Sequence, residues 1–525
     1  MPGQPPLDGV VPHPPERAAL YRARGYWQDR TLAEVFAEVF DRHPERVALL
    51  AGDRTITYGE LGRWVVSLAG RLHRMGLRRR ERVVVHLPNS AEFVALYLAL
   101  QWIGAIPIMA LLPHRRLEID YFVRLAEAVA YFGVDLELGR EVQARNPCLR
   151  WLIPPEALSP EPAAAQPPAV EVDPDDPCAL LLSGGTTGIP KLIPRTHNDY
   201  LYNSRAAAAV QDVGPDACQL AVLPLAHNMP LACPGVQGFL LHGARVVIGP
   251  STRAADVFPL IERHRVTHVA AVPALYLRWL ADPACGHHDL SSVVLLQSGG
   301  QRLQPEVRRR LAQAFPNAFV QENFGMSEGT LFFVRRDDPE EVRMETVGRP
   351  ICPDDEVRLC DEEGREVPEG EVGELTVRGP YTLCGYYRAP EHNARVFTPD
   401  GFYRSGDLMR RHPSGAYLVE GRIKDLINRG GEKISAEEVE NLILTHPAVR
   451  NVACVPVPDP VLGERMCACV ILHEGATLTL EGLAEHLLGL GLAKFKLPER
   501  LEVMPDFPLS PFGKVSKKAL AEQLA

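Results

Sequence analysis

The sequence predicts an α/β protein of two or more domains, and three observations lead to this prediction. The chain has 525 residues, which is more than one ordinary hydrophobic core accommodates. Between residues 180 and 350, short apolar runs alternate with helical patterns, which predicts a parallel sheet covered by helices. Residues 155–175 are rich in proline, alanine and glutamate, which predicts a linker between subdomains.

The first elements follow from apolar periodicity and turn residues. In order, they are a proline-rich arm packed on the body at 1–30, a helix at 31–40, strands at 48–50 and 55–58 around a turn at 52–53, and a strand at 83–87.

The uncharged stretch at 93–113 is long enough to suggest a membrane span. Gln101, Gly104 and Pro107 interrupt it, so a buried helix at 90–103, a turn and a strand at 106–111 are favoured. No membrane partner is therefore expected.

Composition narrows the class of protein further. The content of 46% hydrophobic and 23% charged residues is that of a soluble globular protein. A net charge of −10 argues against nucleic acid as the main partner. The eleven cysteines form no C-x-x-C pair, which predicts a reducing compartment and no structural metal. Residues 1–6 lack the features of a signal peptide, so a cytoplasmic location is expected.

A loop rich in glycine and hydroxyl groups is the strongest motif of the chain. It follows the apolar run 179–182 and reads Ser183, Gly184, Gly185, Thr186, Thr187, Gly188, Ile189, Pro190, Lys191. Glycine lets backbone N–H groups approach an anion, and a nucleotide phosphate is the obvious anion. The spacing matches neither the Walker A loop nor the dinucleotide fingerprint. The alternative is an ordinary surface loop.

The longer string at 182–197, LSGGTTGIPKLIPRTH, resembles the phosphate loop of the adenylate-forming superfamily. Its second half resembles the stand-alone aryl-acid AMP ligases of siderophore biosynthesis. Six motifs in family order extend the resemblance over nearly the whole chain. The resemblance implies a large N-terminal domain of α/β subdomains, residues 1–422, and a small mobile α+β C-terminal domain, residues 423–525.

The resemblance also implies an ATP site with magnesium. The loop at 183–191 would hold pyrophosphate. In the segment ENFGMSE, Phe324 takes the place of the aromatic residue beside adenine, and Glu328 that of the acidic magnesium ligand. Asp407 would accept hydrogen bonds from both ribose hydroxyls. The implied ATP and AMP contacts outside the loop are Gly300, Glu322, Asn323, Phe324, Gly325, Met326, Ser327, Asp407 and Arg422.

An aryl-acid pocket follows from the same resemblance. His227 would close the pocket or contact the carboxylate, and Asn228 would bind the hydroxyl ortho to it, so analogues without that hydroxyl are rejected. The implied contacts of the aryl acid are Asn228, Met229, Cys233, Ser298, Gly299 and Leu331. From the residues alone, a hydrogen-bonded core histidine is the preferred interpretation of His227. The segment 297–300 is equally interpreted as an ordinary turn after a strand at 293–296.

The C-terminal motifs complete the implied site. Lys424 falls at the family's hinge, and the hairpin at 428–434, with Gly430, Gly431 and Lys433, would line the thiol tunnel. Lys514 falls at the position of the catalytic lysine. For the hairpin the alternative is a plain turn, and for the segment around Lys514 it is a basic tail. For Lys517 and Lys518 the basic tail is the preferred interpretation.

The implied reaction has two halves. An aryl carboxylate first attacks the α-phosphate of ATP with Mg²⁺ present, giving aryl-AMP and pyrophosphate. The small domain then rotates, and the phosphopantetheine thiol of an aryl carrier protein, supplied in trans, takes the aryl group. An aryl-CoA ligase is the alternative enzyme, and an inactive binding module the alternative outside enzymes. Retention of Lys514, Asp407 and Glu328 argues against the inactive module.

Two pocket residues favour salicylate as the acid. In the resembling family, salicylate ligases tend to carry cysteine and leucine at the positions of Cys233 and Leu331, where ligases for 2,3-dihydroxybenzoate tend to carry serine and valine. A thiol is a weak hydrogen-bonding group that behaves as a small hydrophobe. Met229 and Asn323 depart from the family pattern, in which an aromatic and an apolar residue are usual. 2,3-Dihydroxybenzoate and another substituted or heterocyclic 2-hydroxyaryl acid therefore stay open as alternatives.

Overall fold

The computed structural model describes residues 6–161, 170–183, 190–430, 432–509 and 514–524, without the side chains of Lys424 and Lys433. The α-helices in these residues are α1 Pro15–Ala23, α2 Leu32–Arg42, α3 Tyr58–Met75, α4 Ala91–Ile103, α5 Arg116–Ala126, α6 Leu136–Gln143, α7 His197–Val210, α8 Asn228–Ala232, α9 Gly235–Leu241, α10 Ala254–His264, α11 Pro273–Ala281, α12 Pro305–Ala314, α13 Glu340–Glu345, α14 Pro390–Val396, α15 Ala436–Ile443, α16 Leu480–Gly489 and α17 Lys517–Leu524.

The strands are β1 Val47–Ala51, β2 Arg54–Thr57, β3 Arg82–His86, β4 Ile106–Met109, β5 Ala130–Gly133, β6 Trp151–Ile153, β7 Pro177–Leu182, β8 Leu192–Thr196, β9 Cys218–Ala221, β10 Arg245–Ile248, β11 His268–Ala271, β12 Leu295–Gly299, β13 Phe319–Met326, β14 Gly329–Phe333, β15 Arg349–Pro350, β16 Glu356–Cys360, β17 Val372–Arg378, β18 Tyr403–Arg411, β19 Tyr417–Arg422, β20 Leu426–Arg429, β21 Glu432–Ser435, β22 Val449–Asp459, β23 Gly463–Leu472 and β24 Arg500–Val503. Short 3₁₀ turns occupy Pro155–Leu158, Pro283–Gly286, Ile423–Asp425 and Lys494–Lys496.

The chain divides into two compact units. The large unit comprises Met1–Arg343, Gly348–Glu356 and Val377–Tyr403, and the small unit comprises Met344–Val347, Val357–Thr376 and Arg404–Ala525. The two units are distinguished by the residues that pack together within each of them. The boundary at 422/423, which concerns a moving domain, stays a prediction.

The large unit contains two sheets. The nine-stranded sheet has the order β15-β14-β13-β12-β11-β9-β10-β1-β2, and the six-stranded sheet has the order β6-β5-β3-β4-β7-β8. The strands from β13 through β12, β11, β9 and β10 to β1 are parallel, with antiparallel strands at both edges. The α/β prediction is confirmed. However, β7 and β8 belong to the six-stranded sheet, where they form an antiparallel hairpin.

Local sequence signals explain the early elements. The Thr31 hydroxyl accepts a hydrogen bond from the Glu34 N–H while the Glu34 carboxylate accepts one from the Thr31 N–H, which starts α2 with a capping box. Nearly every side chain of α4 is buried, and Gly104 ends this helix in the left-handed region with φ 64°. Strand β4 follows, so the predicted helix, turn and strand are confirmed. No helix among the described residues is long and apolar enough to cross a bilayer.

The small unit has its own sheets and core. One sheet has the order β16-β17-β18-β19, and the other has the order β21-β20-β23-β22 with β24 paired to β23. The second sheet packs its apolar face on α15 and α16, with Ile427, Val439 and Leu483 at the centre of the core.

The eleven cysteine thiols are all free. Cys148, Cys285 and Cys384 are partly exposed, and the remaining eight are buried.

Candidate functional site

Three predicted motif segments lie at one edge of the nine-stranded sheet. Strands β9, β12 and β13 are parallel, and they lead into the segments around Asn228, Gly299 and Ser327 respectively. Because parallel strands end at the same edge, this edge gathers the segments, as is usual for ligand sites in α/β sheets. Strand β12 runs through Gly299, so the predicted turn begins later, at Gly300 with φ 88°.

Asn228 is held by two partners. Its side-chain oxygen accepts a hydrogen bond from the Tyr200 hydroxyl at 2.9 Å, and its amide nitrogen donates to the Met326 carbonyl at 3.3 Å. The asparagine is 4% exposed. The preceding His227 is half-buried at the start of α8, and the following Met229 packs against the main core of the large unit. These contacts fix the Asn228 amide beside the 322–328 segment and leave one of its N–H groups for a ligand.

A second hydrogen-bonded link crosses the strand ends. The Gln297 amide nitrogen donates to the Cys233 carbonyl at 3.0 Å and to the Asn323 side-chain oxygen at 3.2 Å. A Cβ built on Gly299 would lie 2.7 Å from that same oxygen, so glycine is required there. Because side chains alternate along a strand, Ser298 faces the opposite side of the sheet, where its buried hydroxyl has no partner among the described residues.

The Cys233 side chain lies in an apolar cluster. It is 1% exposed and shares the cluster with Leu331 and Tyr381. The Asn203 amide donates a weak hydrogen bond to its sulfur at 3.7 Å. Burial raises the pKa of the Cys233 thiol to about 11, so it stays protonated at neutral pH. The predicted pair of Cys233 and Leu331 is therefore brought together on an apolar wall.

The ends of the predicted phosphate loop are joined. The Ser183 N–H donates to the Lys191 carbonyl at 3.0 Å, and the Lys191 N–H donates to the Ser183 hydroxyl at 3.0 Å. These bonds continue the β7–β8 hairpin to the base of the loop. The predicted contacts Gly184, Gly185, Thr186, Thr187 and Gly188 lie outside the described residues.

Arg195 connects this hairpin to the rest of the site, a role that no motif in the sequence indicated. Its guanidinium is fully buried, binds the Asp199 carboxylate at 2.9 Å and donates to the carbonyls of Ser327 and Tyr381, each at 3.2 Å. It also lies over the Tyr200 ring. A single arginine in the LIPRTH string gave no signal for this role, because the two carbonyls that it binds are distant in sequence.

The 322–328 segment is mostly strand. Both oxygens of the buried Glu322 carboxylate are engaged, by the Arg308 guanidinium at 2.7 Å and by the Leu303 N–H at 2.9 Å. The half-buried Phe324 ring packs edge-on against Phe332. Gly325 is exposed, and Met326 is buried. The ATP contacts assigned to these residues stay predictions.

Glu328 lies close to the base of the loop. Its carboxylate, 8% exposed, accepts a hydrogen bond from the Tyr386 hydroxyl at 2.7 Å. The Tyr386 ring contacts His392. Burial, together with the charge of Lys191, lowers the pKa of His392 to about 4. A buried carboxylate and the lysine of the loop therefore occupy the same region of the large unit.

The remaining predicted residues belong to the small unit. Asp407 is 3% exposed, and its carboxylate accepts a hydrogen bond from the Arg422 guanidinium at 2.7 Å. Lys424 lies within the 3₁₀ turn Ile423–Asp425. The Gly430 N–H donates to the Leu462 carbonyl at 2.8 Å.

Three further predictions concern the end of the hairpin and the C-terminal loop. Gly431 and the side chain of Lys433 lie outside the described residues. Lys514 directly precedes Val515, which pairs with Leu509. The hinge, thiol and catalytic roles stay predictions.

A buried carboxyl beneath the pocket predicts a pH effect on stability. The Asp355 carboxylate accepts a hydrogen bond from the Tyr381 hydroxyl at 2.6 Å, and that hydroxyl also accepts from the Leu331 N–H. Burial raises the pKa of Asp355 from 3.8 to about 8. Between these values the folded chain keeps a proton that the unfolded chain has lost, so stability falls by about 1.4 kcal/mol per pH unit as the pH rises.

We expect Asp355→Asn to remove this slope. Its thermal midpoint relative to the native chain should move upward as the pH rises from 5 to 7.5. A difference between the two midpoints that stays constant over this range would contradict the prediction.

The chain matches the AMP-binding enzyme family over residues 36–387 and the C-terminal domain of AMP-binding enzymes over residues 438–514. The chain belongs to the AMP-binding enzyme family. It is an ATP-dependent ligase, and the prediction of the adenylate-forming fold is confirmed.

Several relatives are similar over their full length. A salicylyl-CoA synthase / salicylate adenylyltransferase of a Streptomyces species is 46% identical over 98% of this chain and 97% of its own. A 2,3-dihydroxybenzoate-AMP ligase of Bacillus subtilis is 44% identical, over 99% and 98%. A salicyl-AMP ligase / salicyl-S-ArCP synthetase of Mycobacterium tuberculosis is 44% identical, over 99% and 95%. The predicted resemblance to aryl-acid AMP ligases is confirmed.

A solved structure agrees with this assignment. The apo structure of MbtA from Mycobacterium smegmatis is 42% identical and superimposes with a TM-score of 0.76 over 98% of this chain and 99% of that chain.

Proposed function

We propose that this chain activates salicylate with ATP to salicyl-AMP and pyrophosphate, and then transfers the salicyl group to the phosphopantetheine thiol of an aryl carrier protein supplied in trans. The product would serve the biosynthesis of a siderophore or a related natural product. Ligases for 2,3-dihydroxybenzoate or another 2-hydroxyaryl acid are the alternatives, followed by an aryl-CoA ligase.

One observation carries the proposal. The Asn228 amide is held in place by Tyr200 and Met326, and it shares the strand-end region with the apolar wall of Cys233 and Leu331. An oriented amide suits the ortho hydroxyl of the acid, and the apolar wall suits an unsubstituted ring edge. Sequence identity does not indicate which acid the chain activates, since relatives named for two different acids are both 44% identical to it.

In the first half-reaction, an oxygen of the salicylate carboxylate attacks the α-phosphorus, and the bond from that phosphorus to the pyrophosphate oxygen breaks. Charge builds on the phosphate oxygens, so positioned donors and cations lower the barrier. Lys514 would bridge the carboxylate and the α-phosphate. The loop between Ser183 and Lys191 would hold pyrophosphate, and Asp407 with Arg422 would hold the ribose.

The residues near the loop fit a magnesium ion. Mg²⁺ in nucleotide sites is bound by one or two carboxylates together with substrate phosphates. Glu328 supplies a buried carboxylate oriented by Tyr386, in the region that Lys191 also occupies. When bound there, the ion would neutralise phosphate charge.

In the second half-reaction, the carrier thiol attacks the carbonyl carbon of salicyl-AMP, AMP leaves and a thioester forms. The hairpin at 428–434 would present the thiol. The LIPRTH extension and the His227-Asn228 pair favour a carrier protein over coenzyme A. The Streptomyces relative is nevertheless named a salicylyl-CoA synthase, so both acceptors belong in the test.

ATP–pyrophosphate exchange with a panel of aryl acids tests the proposal. We expect salicylate to support exchange and benzoate, which lacks the ortho hydroxyl, to support little. Thioester formation is then compared with carrier protein and with coenzyme A as acceptors. Faster transfer to coenzyme A would favour the CoA ligase, and no exchange with any aryl acid would reject the proposal.

The Cys233→Ser variant should change the preferred acid. A serine hydroxyl pairs with a 3-hydroxyl, whereas the protonated thiol leaves it poorly satisfied, at a cost of about 1–3 kcal/mol. We expect the native enzyme to favour salicylate over 2,3-dihydroxybenzoate roughly ten- to hundredfold in kcat/KM, and the variant to lose most of this preference.

Cys218→Ser is the matched control, since Cys218 is equally buried but lies in the main core, and it should leave the preference unchanged. Native preference for the dihydroxy acid would reject this interpretation of the pocket.

A further inference from the structure

Asn323 lies on the same pocket wall as Leu331. Side chains two apart on a strand share a face, and Gly325 pairs across the β13–β14 ladder with Leu331. A Cβ built on Gly325 would lie 2.5 Å from the Leu331 side chain, which confirms that both point to one side. The Asn323 side chain therefore faces the pocket in which we propose that the aryl ring lies.

The hydrogen bonds fix which end of the Asn323 amide points outward. The Cys233 carbonyl can only accept, so the Gln297 atom at 3.0 Å from it is the nitrogen. That nitrogen also donates to Asn323 at 3.2 Å, so the Asn323 atom facing it is the oxygen. The two bonds thus remove the usual ambiguity of amide orientation. The Asn323 nitrogen, Nδ2, is left on the far side.

This nitrogen forms no hydrogen bond within the part of the chain that the structure describes, although Asn323 is only 5% exposed. Two glycines flank it. Cβ atoms built on Gly299 and Gly325 would lie 3.0 Å and 3.9 Å from Nδ2. Without side chains at these positions, a ligand atom can approach the amide closely.

An unpartnered N–H donor in an otherwise apolar wall selects for an acceptor on the ligand. If the bound ring offers only C–H groups, the donor stays dehydrated and unpaired. A site built to pair a polar group discriminates strongly against analogues that lack it.

We infer that Asn323 is a specificity-determining residue. It favours a 2-hydroxyaryl acid that carries a hydrogen-bond acceptor, a ring nitrogen or an added ring oxygen, on the edge facing Nδ2. This inference rests on the proposed function, the activation of a 2-hydroxyaryl acid, and deepens it, because among the alternatives to salicylate it selects an acid with a ring acceptor.

ATP–pyrophosphate exchange with four acids tests the inference. They are salicylate, 3-hydroxypyridine-2-carboxylate, 3-hydroxypyridine-4-carboxylate and 2,5-dihydroxybenzoate, which place a ring nitrogen or an added ring oxygen at three different positions. We expect at least one of these three other acids to exceed salicylate roughly tenfold in kcat/KM. We expect Asn323→Leu, which removes the donor at similar volume, to abolish that advantage over salicylate.

Two further variants keep the outcome interpretable. Asn323→Asp retains an oxygen that accepts from Gln297 and replaces the donor with a second acceptor oxygen of a carboxylate, so the advantage over salicylate should also be lost if the leucine variant fails to fold. Asn317→Leu changes an exposed asparagine of the same unit and should alter neither acid.

The possible results separate the inference from the proposed function. Exchange with salicylate that exceeds exchange with all three other acids, or equal loss of all acids in the Asn323 variants, overturns the inference alone. No exchange with any of the four acids by the native enzyme overturns both.

Discussion

Lys514→Ala is expected to reduce adenylate formation by about 10²–10³-fold and to leave thioester formation from preformed aryl-AMP largely intact. The physical reason is that a positioned cation bridges the attacking carboxylate and the α-phosphate in the first half-reaction, whereas the second half-reaction takes place at the carbonyl carbon. Lys514→Arg should not restore the rate, because a guanidinium fork does not replace a compact ammonium group. Single-turnover assays of the two halves provide the measurement.

The neighbouring lysines supply controls for this variant. Lys518 is 57% exposed and lies 3.7 Å from Glu522, so Lys518→Ala should behave as the native enzyme does. Lys517 forms an ion pair with the largely buried Glu440 at 2.7 Å, so Lys517→Ala should destabilise the small unit instead. Equal loss in both half-reactions of Lys514→Ala would contradict the assigned role.

Lys424→Pro is expected to lower transfer to the thiol on the order of 100-fold while adenylation largely survives. Proline fixes φ near −65° and removes an N–H. A 3₁₀ turn typically has φ values of this kind. The closing bond of the turn Ile423–Asp425 uses the Leu426 N–H. The variant should therefore fold as the native chain does and resist the backbone rotation that the second half-reaction requires, where small misplacements cost about 10²-fold.

Lys424→Ala separates the backbone effect from the side-chain effect. It shortens the side chain and leaves φ free, so both half-reactions should stay near the native rates. Stopped-flow and single-turnover measurements of both half-reactions in the two variants distinguish the backbone effect from the side-chain effect. If transfer in Lys424→Pro falls no more than adenylation, the pivot lies elsewhere in the chain.

Local elements could be predicted because their signals are local. Thr31 and Glu34 cap α2, and Gly104 ends α4, as the residue types indicate. The assembly of the sheets could not be predicted in this way. Strand β1 pairs with β10, nearly two hundred residues later, and no periodicity records which distant strands become neighbours.

The site shows the same contrast. Motif resemblance named Asn228, Cys233 and Leu331, and the structure brings Cys233 and Leu331 into one cluster. It did not indicate Arg195 or Gln297, whose importance lies in hydrogen bonds to the carbonyls of Ser327 and Cys233. A backbone carbonyl is the same in every residue, so the sequence carries no mark of the side chain that will bind it.

Because exposed and buried cysteines are distributed differently between the two units, alkylation of thiols can follow each unit separately in solution. The partly exposed cysteines, Cys148, Cys285 and Cys384, all belong to the large unit. The thiols of the small unit, at Cys360, Cys454, Cys467 and Cys469, are all buried. A maleimide pulse on the native enzyme should therefore mark only large-unit peptides. The rate of alkylation at the four small-unit cysteines, followed by peptide mass spectrometry, would then measure how often the small unit opens transiently.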